Sequence, residues 1–398
     1  MKVLQLCHKA PFPANDGGTK AMQAIAQGLI DNGCQVDVLS IATHKHPEPE
    51  PGSSKLAEKT NAQFIEVDTK VKWMGALKGL FQKNSYHTSR FVDEKFDSVL
   101  TETLQKKNYD VVIFESLFTA PYLATVRAHS KAKCVYREHN IESQLWEARS
   151  QGENALNKKV LQNFNNKLKR FEFSIVNNFD AIACISERDL NILKENGLEV
   201  PADVIPYGIS MIAEPTKQSN KKRIGFLGSL DWEPNVEGLN WFIEKVWDKV
   251  HESHPSWSFH IGGRNASEQF KESLPPTITF EGEINDAEGF IESCNIVIVP
   301  LFTGSGIRIK LIEAVSKGIP VVTTTTGARG LPGDYQNAVL IADNKTEFFQ
   351  ALSTLCSNSK KREEIGQNGF QYCREHFEMK QVAKSFISFV NGLKVESE

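Results

Sequence analysis

Short runs of β-branched and aliphatic residues alternate with long amphipathic stretches along most of the chain. No other feature limits the fold so severely. Two successive strands that point the same way need a crossover, so a chain that keeps repeating strand and helix builds parallel sheets covered by helices. The first series of strands is read at residues 3–7, 35–41, 62–67, 111–115, 133–137 and 181–185. A second series is read at 223–227, 257–261, 278–280, 296–300, 321–324 and 338–341. Between them, residues 201–223 combine prolines and a glycine with a charged, polar stretch and carry little apolar periodicity, which makes them the expected linker. The expectation is an α/β chain of two similar-sized parallel-sheet domains, 1–204 and 205–379. A C-terminal helical segment, 380–398, has the first domain as its expected destination.

Composition removes several classes of function. With 398 residues, 40% hydrophobic and 24% charged, each domain is large enough to bury its own core. A formal charge of -3 leaves no nucleic-acid footprint. The seven cysteines are scattered, odd in number and nowhere spaced C-x-x-C, so neither a disulfide framework nor a zinc site is expected. The first residues, Met1 to His8, hold one charge and a short apolar run, too little for a signal peptide, and no window is apolar enough to span a bilayer. A cytoplasmic protein is expected, with membrane contact only of a peripheral kind at the inner face. Residues 70–83 place Trp73, Met74, Leu77, Leu80 and Phe81 on one helical stripe beside four lysines and no acid. Such a helix either meets a lipid surface or packs on the first domain.

Ligands of open parallel sheets bind beyond the carboxyl ends of the strands, and the informative residues fall there. After the first strand, Gly17-Gly18 opens a helix, where backbone can approach an anion and N–H groups point at it. A plain strand-to-helix turn has the same pattern. The segment from Val299 to Val322 reads strand, glycine loop, helix, strand, with Gly304, Ser305 and Gly306 in the loop and Arg308 and Lys310 at the helix start. Two cations there oppose the helix dipole, a conflict that a bound diphosphate resolves. Glu313, one turn beyond Ile309, can accept hydrogen bonds from sugar hydroxyls. His139 follows another strand, Glu115 ends the one before it, and Glu138 adjoins as a cleft or orienting residue.

These segments resemble the retaining glycosyltransferases of family four, which have the GT-B architecture of two facing Rossmann-like domains. The resemblance runs through Gly17-Gly18, Arg137-Glu138-His139-Asn140, Ile185-Ser186-Glu187, Pro206-Tyr207-Gly208-Ile209, Phe226-Leu227-Gly228-Ser229 and, most specifically, Gly306 to Val322. It implies transfer of a sugar from a nucleoside-diphosphate sugar, with retention, to a glycan or lipid-linked acceptor. His139 would then lie beside the donor sugar, Gly17, Gly18, Gly304, Ser305, Gly306, Arg308 and Lys310 would hold the diphosphate, and Glu313 would hold the ribose. Glu115, Glu138, Asn140, Ser229 and Asn235 are the further cleft candidates. Two departures stand out. Ser305 occupies the place of the first glutamate of the family's Glu-x7-Glu pair, and Ser229 to Asn235 replaces its usual Arg and Lys.

Neither the Gly-x-Gly-x-x-Gly of dinucleotide enzymes nor a P-loop is present, and no Asp-x-Asp occurs. No cofactor and no metal are expected, the leaving diphosphate being stabilised by protein cations and amides. A sugar-nucleotide epimerase of the same architecture, or a non-catalytic nucleotide-sugar-binding protein, are the alternatives.

Overall fold

The computed structural model describes residues 1–70, 85–150, 155–216, 221–304 and 306–393. The chain divides into two compact units, Met1–Gly208 with Met379–Glu398, and Ile209–Glu378. In the first unit, seven strands form one sheet: β1 Lys2–Cys7, β2 Gln35–Ala42, β3 Gln63–Glu66, β4 Val111–Glu115, β5 Lys133–Glu138, β6 Ala181–Cys184 and β7 Ala202–Val204. Their order is β3-β2-β1-β4-β5-β6-β7, and every pairing is parallel. β4 is buried at all its positions because helices cover both faces. Alternation along the strands sorts side chains between two cores. Leu4, Leu6, Val112 and Phe114 face one, while Val3, Cys7, Val111 and Ile113 face the other.

β1 sits between β2 and β4, so the strand order reverses there. Ligand sites of doubly wound sheets lie at such a switch, beyond the strand carboxyl ends. Glu115 ends β4 and His8 follows β1 at this place. The last long helix, Met379–Gly392, belongs to this same unit. Its Val382, Ala383, Phe386 and Val390 join the second core. Gly28, inside helix Gly17–Asp31, makes the approach possible, since a Cβ there would stand 2.8 Å from both the Ala383 Cβ and the Met379 carbonyl oxygen. Lys133 Nζ donates to the Val390 and Leu393 carbonyls, each at 3.0 Å, and closes the helix end.

The second unit holds β8 Arg223–Leu227, β9 Ser258–Gly262, β10 Ile278–Gly282, β11 Ile296–Val299, β12 Val321–Thr323 and β13 Leu340–Ile341. Their order, β10-β9-β8-β11-β12-β13, is again wholly parallel and reverses between β8 and β11. Phe226, Leu239, Phe242, Trp247, Phe259 and Phe348 are among its core side chains. Every strand read from the sequence is present within two residues at either end.

The linker reading needs correction. β7 lies inside 201–223 and pairs with β6, and Ile205 is fully buried in the first unit's core. The division therefore falls at Gly208 rather than Val204. Pro201 and Pro206 bracket β7, and only sheet pairing, absent from local pattern, marks those three residues as strand.

Candidate active site

In the first unit, three adjacent strand ends converge on one carboxylate. Glu115 is 0% exposed, as is Arg137 at the end of β5, and His139 retains 5%. Gln5 Nε2, from β1, donates to Glu115 Oε1 at 2.7 Å, and Arg137 Nη1 donates to Glu115 Oε2 at 3.3 Å. His139 Nε2 bonds to the same Oε2. Arg137 Nη1 also reaches the Ala21 carbonyl, and Gln5 Nε2 the Met22 carbonyl, tying the cluster to helix Gly17–Asp31. Burial by itself raises the Glu115 pKa, but the Arg137 charge and the His139 and Gln5 bonds outweigh it and hold the carboxyl at about 2. For His139, burial dominates over the Glu115 bond and lowers its pKa, leaving the ring neutral at pH 7. On the Glu115 backbone, the carbonyl accepts from His8 Nδ1 at 3.1 Å. Burial and the Lys9 charge push His8 down to about 3.

Helix Gly17–Asp31 starts at the predicted glycine pair. Asp16 caps it by accepting from Thr19 N at 2.9 Å, and Lys9 pairs with Asp16 at 2.7 Å. Lys9 Nζ also lies 3.1 Å from where a Cβ on Gly18 would stand. A lysine thus borders the glycine-led helix start. Asn140 is half-buried just past His139.

Glu138 departs from the cleft reading. It is buried on the opposite side of β5 from Arg137, as strand alternation requires, and its carboxylate has no hydrogen-bond partner among the described residues. Burial, then the charges of Asp189, Glu172 and Glu142, hold its pKa well above the usual carboxyl range. The structure separates it from Glu115 and His139.

In the second unit, the groups gather past β8 and β11. Arg308 is the N-cap of helix Ile309–Ser316 and is 7% exposed, its guanidinium 5.5 Å from the Trp232 ring centroid. Lys310 Nζ lies 4.4 Å from the Phe226 ring centroid and donates to Asn235 Oδ1 at 2.7 Å. Asn235 Nδ2 in turn donates to the Ser229 carbonyl at 2.8 Å, so three of the predicted residues form one chain. The Ser229 hydroxyl bonds to Asp231. Burial, then the Arg308 charge, lowers Lys310 to about 7. Gly228 must lack a side chain here, since a Cβ would stand 2.7 Å from Asn235 Nδ2 and 2.9 Å from Lys310 Nζ. Gly304 adopts φ 105° and Gly306 φ 77°, left-handed values suited to glycine. Glu313 is half-buried along the same helix. Ser305 and the predicted amphipathic helix from Val71 onward lie outside the described residues.

Sequence reasoning missed Gln5, His8, Lys9, Arg137 and Trp232 as site members. Arg137 was legible in principle, since it precedes His139 by two residues and so shares its side of β5. Gln5 was not, because its partner lies 110 residues away. Among the described residues, no helix is long and apolar enough to cross a membrane.

Residues 15–211 match the family model described as Glycosyltransferase Family 4, and residues 221–358 match Glycosyl transferases group 1. A protein of Klebsiella pneumoniae, described as an uncharacterized 44.6 kDa protein in a cps region, is 24% identical over 403 residues, covering 97% of this chain and 99% of that one. Among solved structures, HepE of Anabaena in complex with UDP has a TM-score of 0.68 at 16% identity, over 99% of this chain and 100% of that one. Sucrose-phosphate synthase of Thermosynechococcus elongatus gives 0.67 at 14% identity, over 99% of each. The pneumococcal O-GlcNAc transferase GtfA in complex with UDP and GlcNAc gives 0.66 at 12% identity, over 98% of this chain and 99% of that one. Two parallel-sheet Rossmann-like units with these neighbours define the GT-B class. With glycosyltransferase models matching in both units, the chain is a glycosyltransferase.

Proposed function

We propose that this enzyme transfers a sugar from a nucleoside-diphosphate sugar to a glycan or lipid-linked acceptor, with retention at the anomeric carbon and without a bound metal ion. The observation that carries the reading is the cation pair at the start of helix Ile309–Ser316. Arg308 is buried there and Lys310 is depressed toward neutrality, both at a helix end whose dipole already disfavours positive charge. A diphosphate relieves the strain of both placements, and the two cations take the part that a divalent metal plays elsewhere. Glu313 is assigned to the ribose, His139 to a hydroxyl of the transferred sugar, and the Gly17-Gly18 helix start to the donor's anionic part. UDP bound to HepE and to GtfA favours a uridine donor. The relative in a cps region fits polysaccharide biosynthesis.

Thermal-shift measurements against UDP-, GDP- and ADP-sugars test the donor class, because a ligand that binds only the folded state raises the melting temperature. One class should stabilise the protein, and slow release of its sugar should persist in excess EDTA with the anomeric configuration kept. Arg308→Ala and Lys310→Ala should each weaken donor binding by ~1.5 to 3 kcal/mol, the loss of a charge-assisted hydrogen bond, while the fold survives. Wild-type donor binding in both variants would sink the assignment.

A further inference from the structure

Glu115 stands in an arrangement with more order than a simple buried ion pair requires. Its two oxygens take three donors from the two strands that flank β4: Gln5 of β1 on one oxygen, Arg137 and His139 at the end of β5 on the other. Arg137 is wholly buried, so its charge needs a negative partner, and Glu115 is the carboxylate it meets. A carboxylate can only accept, so the imidazole nitrogen facing it must carry the hydrogen. That nitrogen is Nε2. The ring is neutral, since burial outweighs the favourable Glu115 contact. Its one hydrogen is therefore committed, and Nδ1, which makes no hydrogen bond among the described residues, is left with a bare lone pair.

We propose that Glu115 is a positioning residue that locks His139 as the Nε2–H tautomer, so that Nδ1 serves as a fixed hydrogen-bond acceptor for a hydroxyl of the transferred sugar. The inference rests on the glycosyl-transfer reading above. A fixed acceptor sets the direction of the hydroxyl's hydrogen, whereas a ring free to exchange tautomers would accept or donate at random. Neutrality matters as well, because a positive ring would oppose the positive character that the sugar gains as its leaving group departs. Gln5 and Arg137 act one step further back by keeping the carboxylate ionised and in place.

Glu115→Gln separates charge and tautomer from shape. Gln5 donates to one oxygen while Arg137 and His139 share the other, so the single oxygen of the new amide cannot serve all three donors, and the charge that holds the Nε2 hydrogen is gone. The preference for Nε2–H is weakened, and the ring becomes a mixture of the two tautomers. Nitrogen NMR of protein labelled in its histidines, with the His139 signals assigned by loss in His139→Gln, reads the tautomer directly. The expected result at pH 7 is Nε2–H in the wild type and a mixture of Nε2–H and Nδ1–H in Glu115→Gln, with kcat at least threefold lower and KM for the donor changed less than twofold. A wild-type ring that is charged or carries its hydrogen on Nδ1 overturns the proposal, and so does an unchanged kcat in Glu115→Gln. Should that variant fail to fold, the wild-type spectrum alone decides the tautomer. Turnover of no nucleotide sugar by the wild type would defeat the proposed function, and the spectrum would still report on Glu115 independently.

Discussion

Lys310 combines three neighbours that a surface lysine lacks: the Phe226 ring, the Asn235 amide oxygen and the Arg308 guanidinium. Burial is the larger cause and the Arg308 charge the second, and together they bring the ammonium down to about 7, against roughly 10.4 for a free lysine. Near pH 8 the ligand-free enzyme therefore holds this side chain mostly neutral. A bound diphosphate favours the charged form, so donor binding must draw a proton from solution. Titration calorimetry of a nucleotide sugar at pH 8, repeated in buffers of different ionisation enthalpy, should show uptake approaching one proton. Uptake should be much smaller near pH 6 and absent at both in Lys310→Arg. No dependence on the buffer would refute the placement of the diphosphate on Lys310. The cation itself was legible in the sequence, because a basic pair at a helix start breaks the dipole preference. Its depressed pKa was not, since burial is the larger cause and the neighbours that enclose it, Phe226 and Asn235, are distant in the chain and meet it only where the strand order reverses between β8 and β11.

The helix Met379–Gly392 shows the same division between what is local and what is not. Its apolar spacing reads as a helix with one buried face, and Val382, Phe386 and Val390 form that face. Where it docks depends on Gly28, a residue that weakens helix Gly17–Asp31 by roughly 1 kcal/mol relative to alanine yet leaves room for Ala383 and the Met379 backbone. An isolated glycine within a helical pattern was thus a visible sign of close packing whose partner, several hundred residues on, was not. β7 illustrates the converse, a strand hidden by flanking prolines. Phe386 is fully buried in the first unit's second core, and Phe386→Ala should cost ~3 to 5 kcal/mol by loss of transfer energy and creation of a cavity. Urea unfolding monitored by circular dichroism checks this. A loss below about 1 kcal/mol would mean that the helix adds little to the unit it packs on.

At the scale of the whole chain, the two units carry opposite electrostatic liabilities. In the first, Glu138 is held protonated by burial and by Asp189, Glu172 and Glu142, while the unfolded chain releases that proton above about pH 4.3. The folded state then binds more protons than the unfolded one, and stability falls with rising pH until Glu138 itself ionises. In the second unit Lys310 is the depressed group, so from about pH 7 upward the unfolded chain binds more protons and stability rises. Each unit has its own core, so unfolding need not be a single two-state event. The sign difference is therefore measurable within one molecule. Glu138→Gln keeps the size of the side chain and removes its ionisation. Near pH 4 the variant should melt close to the wild type, because both side chains are neutral in both states. Towards pH 8 its advantage should grow by at most about 1.4 kcal/mol for each pH unit, the worth of one proton's difference, and should appear in the transition of the first unit. Lys310→Gln should instead stabilise the second unit most at pH 6 and least at pH 9. Scanning calorimetry of the wild type and both variants across this range provides the test. An offset for Glu138→Gln that stays constant with pH would show that the carboxyl is ionised in the folded protein, and that Asp189 and Glu172 do not hold its proton on.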